Sequence, residues 1–263
     1  MTTNLPLYWV DAFTDRPFGG NPAAVIPLES WLDDGLLQRI ANENGLSETS
    51  YFVRTGPARA QLRWFTPAVE VDLCGHATLA AAHVLFSELG QAESPFVFDT
   101  LSGSLSVARR DSRYELDFPA RPAGPAEATP DLVAGLGLPP QQVLKTGKVW
   151  LCVYASEDEV RGVVPNPERL GRVRPGRIII TAPGQDCDFV SRFFAPDAGI
   201  AEDPVTGSAH CTLVPYWAER LEKTVFHARQ VSRRGGELWC ELAGERVRMA
   251  GACASYLKGR VTV

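Results

Sequence analysis

The chain has 263 residues, 45 % of them hydrophobic and 22 % charged, with a formal net charge of -5. These values are those of a globular protein and exclude a disordered or fibrous chain; at ~100–200 residues per domain the length allows one large domain or two modest ones. Arg229, Arg233 and Arg234 are the nearest approach to a basic cluster, too sparse for a nucleic-acid footprint. No apolar stretch reaches the ~20 residues of a membrane span, and MTTNLPLYWV lacks the charged and apolar regions of a signal peptide. The expectation is a cytoplasmic protein with neither nucleic-acid nor membrane partners. Six cysteines (Cys74, Cys152, Cys187, Cys211, Cys240, Cys253) form no C-x-x-C pair, so they read as reduced, buried small side chains, and no metal is expected.

In chain order, Leu7 to Phe13 is rich in β-formers, and after the Gly19-Gly20-Asn21-Pro22 turn cluster Ala23 to Ile26 can pair back. Ser30 is placed to cap a helix carrying Leu32, Leu36, Leu37, Ile40 and Ala41 at helical spacing, with Asn44-Gly45 as its left-handed stop. The chain then enters LSETSYFV, whose Tyr51-Phe52-Val53 end reads as a strand, which puts Glu48 at a helix-to-strand junction. Gln61 to Phe65 alternates as a strand. Gly75 opens ATLAAAHVLFSEL, a helix ending at Gly90 that is apolar on nearly every side and therefore has to be enclosed. Phe96 to Phe98, Leu101 to Ala108 and Tyr114 to Phe118 read as short strands, and Arg121 to Pro130 as a linker. Beyond it follow strands at Val149 to Tyr154, Arg177 to Thr181 and Phe189 to Phe194, a short helix over Asn166 to Val173, and a helix after Gly207 in which Pro215 predicts a kink.

The second half repeats the first. FVRTGP (Phe52 to Pro57) matches IIITAP (Ile178 to Pro183), RWFTP (Arg63 to Pro67) matches RFFAP (Arg192 to Pro196), and CGHATL (Cys74 to Leu79) matches TGSAHC (Thr206 to Cys211). The pairs keep their order at an offset of about 130 residues, far beyond solenoid periods, which argues for an internal duplication. The fold class expected is α+β: two pseudo-symmetric lobes, each a curved, mostly antiparallel sheet or barrel around one central helix. The lobes are expected over 1–118 and 119–254, with a last strand near 255–263 returning to the first.

DLCGHAT and EDPVTGSAH both open an enclosed helix. A helix N-terminus leaves up to four N–H groups unpaired and carries about half a positive charge, which attracts anions, and glycines there let a ligand approach the backbone. Two such termini facing each other would suit a small carboxylate-bearing molecule. Thr206 or Ser208 could equally be plain N-caps, and Asp72 or Asp203 charges beside a positive helix end. His76 gains little structurally at the second helical position and titrates near neutrality, whereas His83 and His210 lie on apolar helices as packing residues, and His227 shows no partner. Glu48 is either a surface glutamate or, in a partly dry cleft, an acid–base group of raised pKa.

DAFTDRPFGGNPAAVI (Asp11 to Ile26), NGLSETSYF (Asn44 to Phe52), RWFTPAVEVDLCGHATLAAAHVL (Arg63 to Leu85) and EDPVTGSAHC (Glu202 to Cys211) together resemble the phenazine-biosynthesis PhzF-like family, within the diaminopimelate epimerase and proline racemase superfamily. The resemblance implies a two-lobed fold with the active site between the lobes, no cofactor, no metal, a homodimer and isomerase chemistry on a small carboxylate-bearing substrate. It places the proton-moving role on Glu48, with His76, Asp203 and Ser208 as supporting residues, and puts the family's GNP loop at Asn21. Gly75, Thr206 and Gly207 become substrate-binding positions. Cys74 looks like the first of the two cysteines used by proline racemase-like relatives. The second is missing, because Pro204-Val205-Thr206-Gly207 stands where those relatives have Cys-Gly-Thr-Gly, and Cys211 lies one helical turn inside. A thiol epimerase using Cys74 and a non-catalytic small-ligand-binding protein remain the competing readings.

Overall fold

The computed structural model describes residues 3–147 and 149–263. The chain divides into two compact units, Met1–Asp117 with Ala250–Val263, and Phe118–Met249.

In the first unit, β1 (Asn4–Ala12) pairs antiparallel with β2 (Asn21–Leu28), with Ala12 opposite Asn21. Gly20 makes that turn at φ 60, and a Cβ there would lie 2.1 Å from the Ala12 carbonyl oxygen, so glycine is required for Asn21 to begin β2. Helix α1 (Asp34–Asn44) is capped by Asp33, which accepts the Leu36 N–H, and stops at Gly45 with φ 62. The expected cap, Ser30, lies outside the helix and Leu32 precedes it. Asp33 has the required three-residue reach to Leu36, and Asp34 adds a second negative charge in the first turn, so carboxylates win over the Ser30 hydroxyl.

Strand β3 (Glu48–Gly56) runs parallel to β2, with Glu48 opposite Ala23. It pairs antiparallel with β4 (Arg59–Phe65), which turns through β5 (Glu70–Val71) into α2 (Gly75–His83). Every residue of α2 from His76 to Ala82 is buried, as its all-round apolar sequence requires. The helix is shorter than expected, because Val84–Glu88 widens into a π turn. Strand β6 (Phe96–Thr100) lies parallel to β4, followed by the antiparallel β7 (Gly103–Arg110) and β8 (Arg113–Pro119). The expected strand start at Leu101 is corrected to Gly103, since Leu101 is an exposed turn residue. The C-terminal strand Cys253–Thr262 pairs antiparallel with β1.

The second unit comprises β9 (Gly124–Pro125), α3 (Pro130–Leu136), β10 (Gln142–Thr146), β11 (Val149–Val153), α4 (Glu157–Gly162), α5 (Pro167–Leu170), β12 (Arg177–Pro183), β13 (Phe189–Ala195), β14 (Ile200–Asp203), α6 (Gly207–Leu221), β15 (Val225–Gln230), β16 (Gly236–Ala243) and β17 (Arg246–Gly251). Its pairing repeats that of the first unit. β11–β12 and β13–β15 are parallel, as β2–β3 and β4–β6 are, and β12–β13, β13–β14 and β15–β16 are antiparallel, like β3–β4, β4–β5 and β6–β7. The three matched sequence pairs fall on β3 and β12, on β4 and β13, and at the starts of α2 and α6. Trp217 of α6 stacks on Phe189 of β13 and donates its indole N–H to the Thr181 hydroxyl of β12.

Two expectations are corrected here. Residues 121–130 are not a free linker: β9 pairs with β10, and the Ala126 N–H donates to the Val143 carbonyl at 3.0 Å. The short helix spans only Pro167–Leu170, with Asn166 as its cap accepting the Arg169 N–H. At Pro215 the helix continues unbroken from Gly207 to Leu221. Proline has no N–H for the Cys211 carbonyl four residues back, and that carbonyl instead accepts the Arg121 N–H at 2.8 Å.

Candidate active site

Four residues from three elements converge in the first unit. Asn21 is the first residue of β2, Glu48 the first of β3, Cys74 the residue before α2, and His76 the second residue of α2. His76 Nε2 lies 3.1 Å from Glu48 Oε2, with the two side chains 6 % and 13 % exposed. The Asn21 amide nitrogen lies 3.3 Å from His76 Nδ1, and Cys74 Sγ lies 3.5 Å from the same atom. In the neutral ring Asn21 can donate to Nδ1 and the Nε2 proton then faces Glu48; in the imidazolium Nδ1 also carries a proton, which the Asn21 amide meets only through its oxygen. The contact is one of charge and proximity rather than an aligned hydrogen bond, for neither Glu48 Oε2 nor His76 Nε2 meets hydrogen-bond geometry with any partner.

Burial opposes charge on the His76 ring, while negative charge on Cys74 or Glu48 favours it, and the net effect raises its proton affinity well above the ordinary value. Burial first and the Glu48 carboxylate second push the Cys74 thiol up to about 11. At neutral pH Cys74 is therefore a neutral thiol, and Glu48 is the group that favours the imidazolium. Glu48, Cys74 and His76 each bring one potential ligand atom within 4.8 Å of the others, a grouping found nowhere else among the described residues. Cys74 and Glu48 contact different nitrogens of the ring, and the thiol resists the ionisation that a metal requires.

In the second unit the Thr206 hydroxyl donates a short hydrogen bond to Asp203 Oδ2. Gln230, on β15, holds the loop at two points: its Oε1 accepts the Thr206 N–H at 2.8 Å and its Nε2 donates to the Asp203 carbonyl at 2.7 Å. The Ser232 hydroxyl donates to the Pro204 carbonyl at 2.7 Å. Thr206 precedes α6, Gly207 begins it, and the Ser208 side chain is exposed at its second position. Thr206 occupies the N-cap position of α6, but its hydroxyl turns to Asp203 and makes no capping hydrogen bond, while Ser208 lies inside the helix.

Helices α1, α3, α4 and α5 are capped by the side chains of Asp33, Thr129, Ser156 and Asn166. The two enclosed helices, α2 and α6, have no side-chain cap, and an uncapped helix start is a favourable place for an anion.

Gln230 and Ser232 escaped sequence reasoning because a single glutamine or serine more than twenty residues from its partners carries no pattern. Histidines outside this group are explained by structure. His83 contacts the Tyr114 hydroxyl and Ser255 Oγ. His210 is fully buried with Nδ1 3.1 Å from the Thr206 carbonyl oxygen, and burial lowers it to about 4. His227 does have partners: it stacks on Trp239 and lies 3.6 Å from Glu237.

Matched sheets around buried helices define the epimerase and racemase class of fold. A solved hydroxyproline epimerase from Agrobacterium vitis has the same architecture, with TM-score 0.64 at 11 % identity over 99 % of this chain and 93 % of that one. The chain itself belongs to the PhzC-PhzF family of phenazine biosynthesis-like proteins, whose model matches residues 10–259. An uncharacterized isomerase from Pseudomonas aeruginosa is 52 % identical over 98 % of both chains, and a human phenazine biosynthesis-like domain-containing protein is 42 % identical over 98 % of this chain and 99 % of that one. The crystal structure of a PhzF-family protein from Enterococcus faecalis matches with TM-score 0.96 at 43 % identity, over 99 % of this chain and all of that one. The protein is an isomerase-class enzyme, the class that its Pseudomonas and Halalkalibacterium relatives carry in their names. No helix among the described residues is long and apolar enough to cross a membrane.

Proposed function

We propose that the protein is a cofactor-independent isomerase that moves a proton within a small carboxylate-bearing substrate, with Glu48 as the general acid–base. The observation that carries this reading is the Glu48–His76 contact of 3.1 Å. A carboxylate held against an imidazole N–H in a nearly dry setting can take a proton from one carbon and return it to another, while the ring stabilises the anionic form between transfers. Asn21 acts by fixing the ring. The uncapped start of α6, with Thr206, Gly207 and Ser208, is suited to hold a carboxylate, and Asp203 holds the Thr206 hydroxyl in place.

Thiol chemistry at Cys74 is the weaker alternative. Its proton is held to about 11, and the position of a second thiol is occupied by Pro204. Cys211, the nearest cysteine in sequence, is buried within α6 and likewise pushed up to about 11.

The test is solvent deuterium incorporation, followed by proton NMR in D2O over a panel of unsaturated and dihydroaromatic carboxylates, by wild type and Glu48→Gln. Exchange by wild type that is lost in Glu48→Gln supports the assignment; equal exchange by both overturns it.

A further inference from the structure

Both units carry one ionic device that the proton-transfer reading does not use. In the first, Arg63 on β4 grips Glu70 on β5 with two parallel bonds, Nε to Oε1 at 2.7 Å and Nη2 to Oε2 at 2.8 Å. In the second, Arg192 on β13 grips Glu202 on β14 in the same way, at 2.7 and 3.0 Å. Each guanidinium also lies 5.1 Å from the ring centre of the phenylalanine two residues on, Phe65 or Phe194. Each uses Nη1 to reach the helical segment before its strand. Arg63 Nη1 donates to Asp34 at the start of α1, and Arg192 Nη1 donates to the Val160 and Val163 carbonyls at the end of α4. In each unit, finally, the glutamate stands four residues before the residue that precedes the enclosed helix, Cys74 or Thr206.

Bidentate pairs fix orientation as well as distance, which a point charge does not. Exposed ion pairs contribute little to stability, but these arginine side chains are only 21 % and 10 % exposed. Arg192 places its Nη1 donors on two backbone carbonyls. The same geometry sits in the same place in both halves although the glutamates follow their arginines at different spacings, and in each it anchors the short hairpin that delivers the chain to an uncapped helix start.

We infer that the Arg63–Glu70 and Arg192–Glu202 pairs are positioning residues, each setting where its own unit's helix N-terminus, and so His76 or the Gly207–Ser208 amides, is held for the isomerase reaction. The inference rests on the proposed function for its catalytic consequence but not for its geometry, and the test keeps the two apart.

Arg63→Lys and Arg192→Lys keep the charge and lose the fork. Isotope-labelled wild type and variants are compared by the His76 imidazole titration, by the amide resonances of Gly207 and Ser208, and by titration with benzoate as carboxylate probe. Thermal melts run alongside. Arg192→Lys is expected to move the Gly207 and Ser208 amides and to weaken benzoate about fivefold or more, leaving the His76 titration unchanged. Arg63→Lys is expected to move the His76 titration and leave those amides unchanged. If each variant lowers only the melting temperature, or if both readouts move together in both variants, the inference is overturned. Glu70→Gln and Glu202→Gln, which keep the side-chain shape, replace any lysine variant that does not fold. Should wild type not bind benzoate, the carboxylate reading fails, while the amide and imidazole shifts still decide the positioning claim.

Discussion

Replacing His210 by asparagine should flatten the acid limb of the protein's stability curve. His210 is fully buried in α6, beside the Phe189 ring, and burial lowers it from 6.5 to about 4. The unfolded chain takes up this proton below pH 6.5 whereas the folded chain resists until about 4, so the stabilisation is complete above 6.5 and is lost as the pH falls through that window. At about 1.4 kcal/mol per pH unit the loss reaches about 2.5 kcal/mol by pH 4.5 and about 3 kcal/mol below pH 4. Asparagine can still offer an N–H to the Thr206 carbonyl, which His210 Nδ1 reaches at 3.1 Å, but it cannot titrate. Urea unfolding followed by tryptophan fluorescence at pH 7.0, 6.0, 5.0 and 4.5 measures the difference. Wild type should lose about 2.5 kcal/mol more than His210→Asn between the extremes; parallel losses would refute the reasoning.

Other outcomes follow from the same geometry. Gly20→Ala should destabilise the fold by more than the ~1 kcal/mol of a left-handed alanine, because its Cβ would meet the Ala12 carbonyl at 2.1 Å. It should also cut isomerase activity by shifting Asn21, checked by melting temperature and turnover; a variant with wild-type values of both would contradict this. Cys74 should ionise near 11 rather than 9, seen as thiolate absorbance at alkaline pH missing from Cys74→Ala. Because the unfolded thiol ionises first, the contribution of Cys74 to stability is present below pH 9 and drains away between 9 and about 11. Urea unfolding of Cys74→Ala should therefore show a shallower alkaline loss than wild type, and an identical slope would count against the buried-thiol assignment.

Much of the fold was legible because the duplication wrote it twice. R-x-F-x-P and the two helix-opening motifs marked β4, β13, α2 and α6, and enclosure followed from the apolar run after Gly75. Long-range closure was not legible: β9 is two residues of a proline-rich stretch, and only its pairing with β10 makes it a strand. Ser30 and Asp33 are both sound caps by composition, and the choice between them depends on where the helix meets the sheet. At the site, the motifs picked out Asn21, Glu48, Cys74 and His76, but not that Cys74 and Glu48 would contact different nitrogens of one ring. The arginine–glutamate pairs were half visible, since the arginines repeat while their glutamates follow at different spacings, Glu70 seven residues on and Glu202 ten.

The central claim is that Glu48 and His76 act as one charged pair, and the His76 titration tests it without any substrate. In wild type, 15N NMR of the imidazole should show His76 titrating above 6.5, held up by the Glu48 carboxylate against burial. In Glu48→Gln that carboxylate is gone while burial stays, so the same ring should titrate lower than in wild type. An unchanged His76 titration in Glu48→Gln would contradict the account.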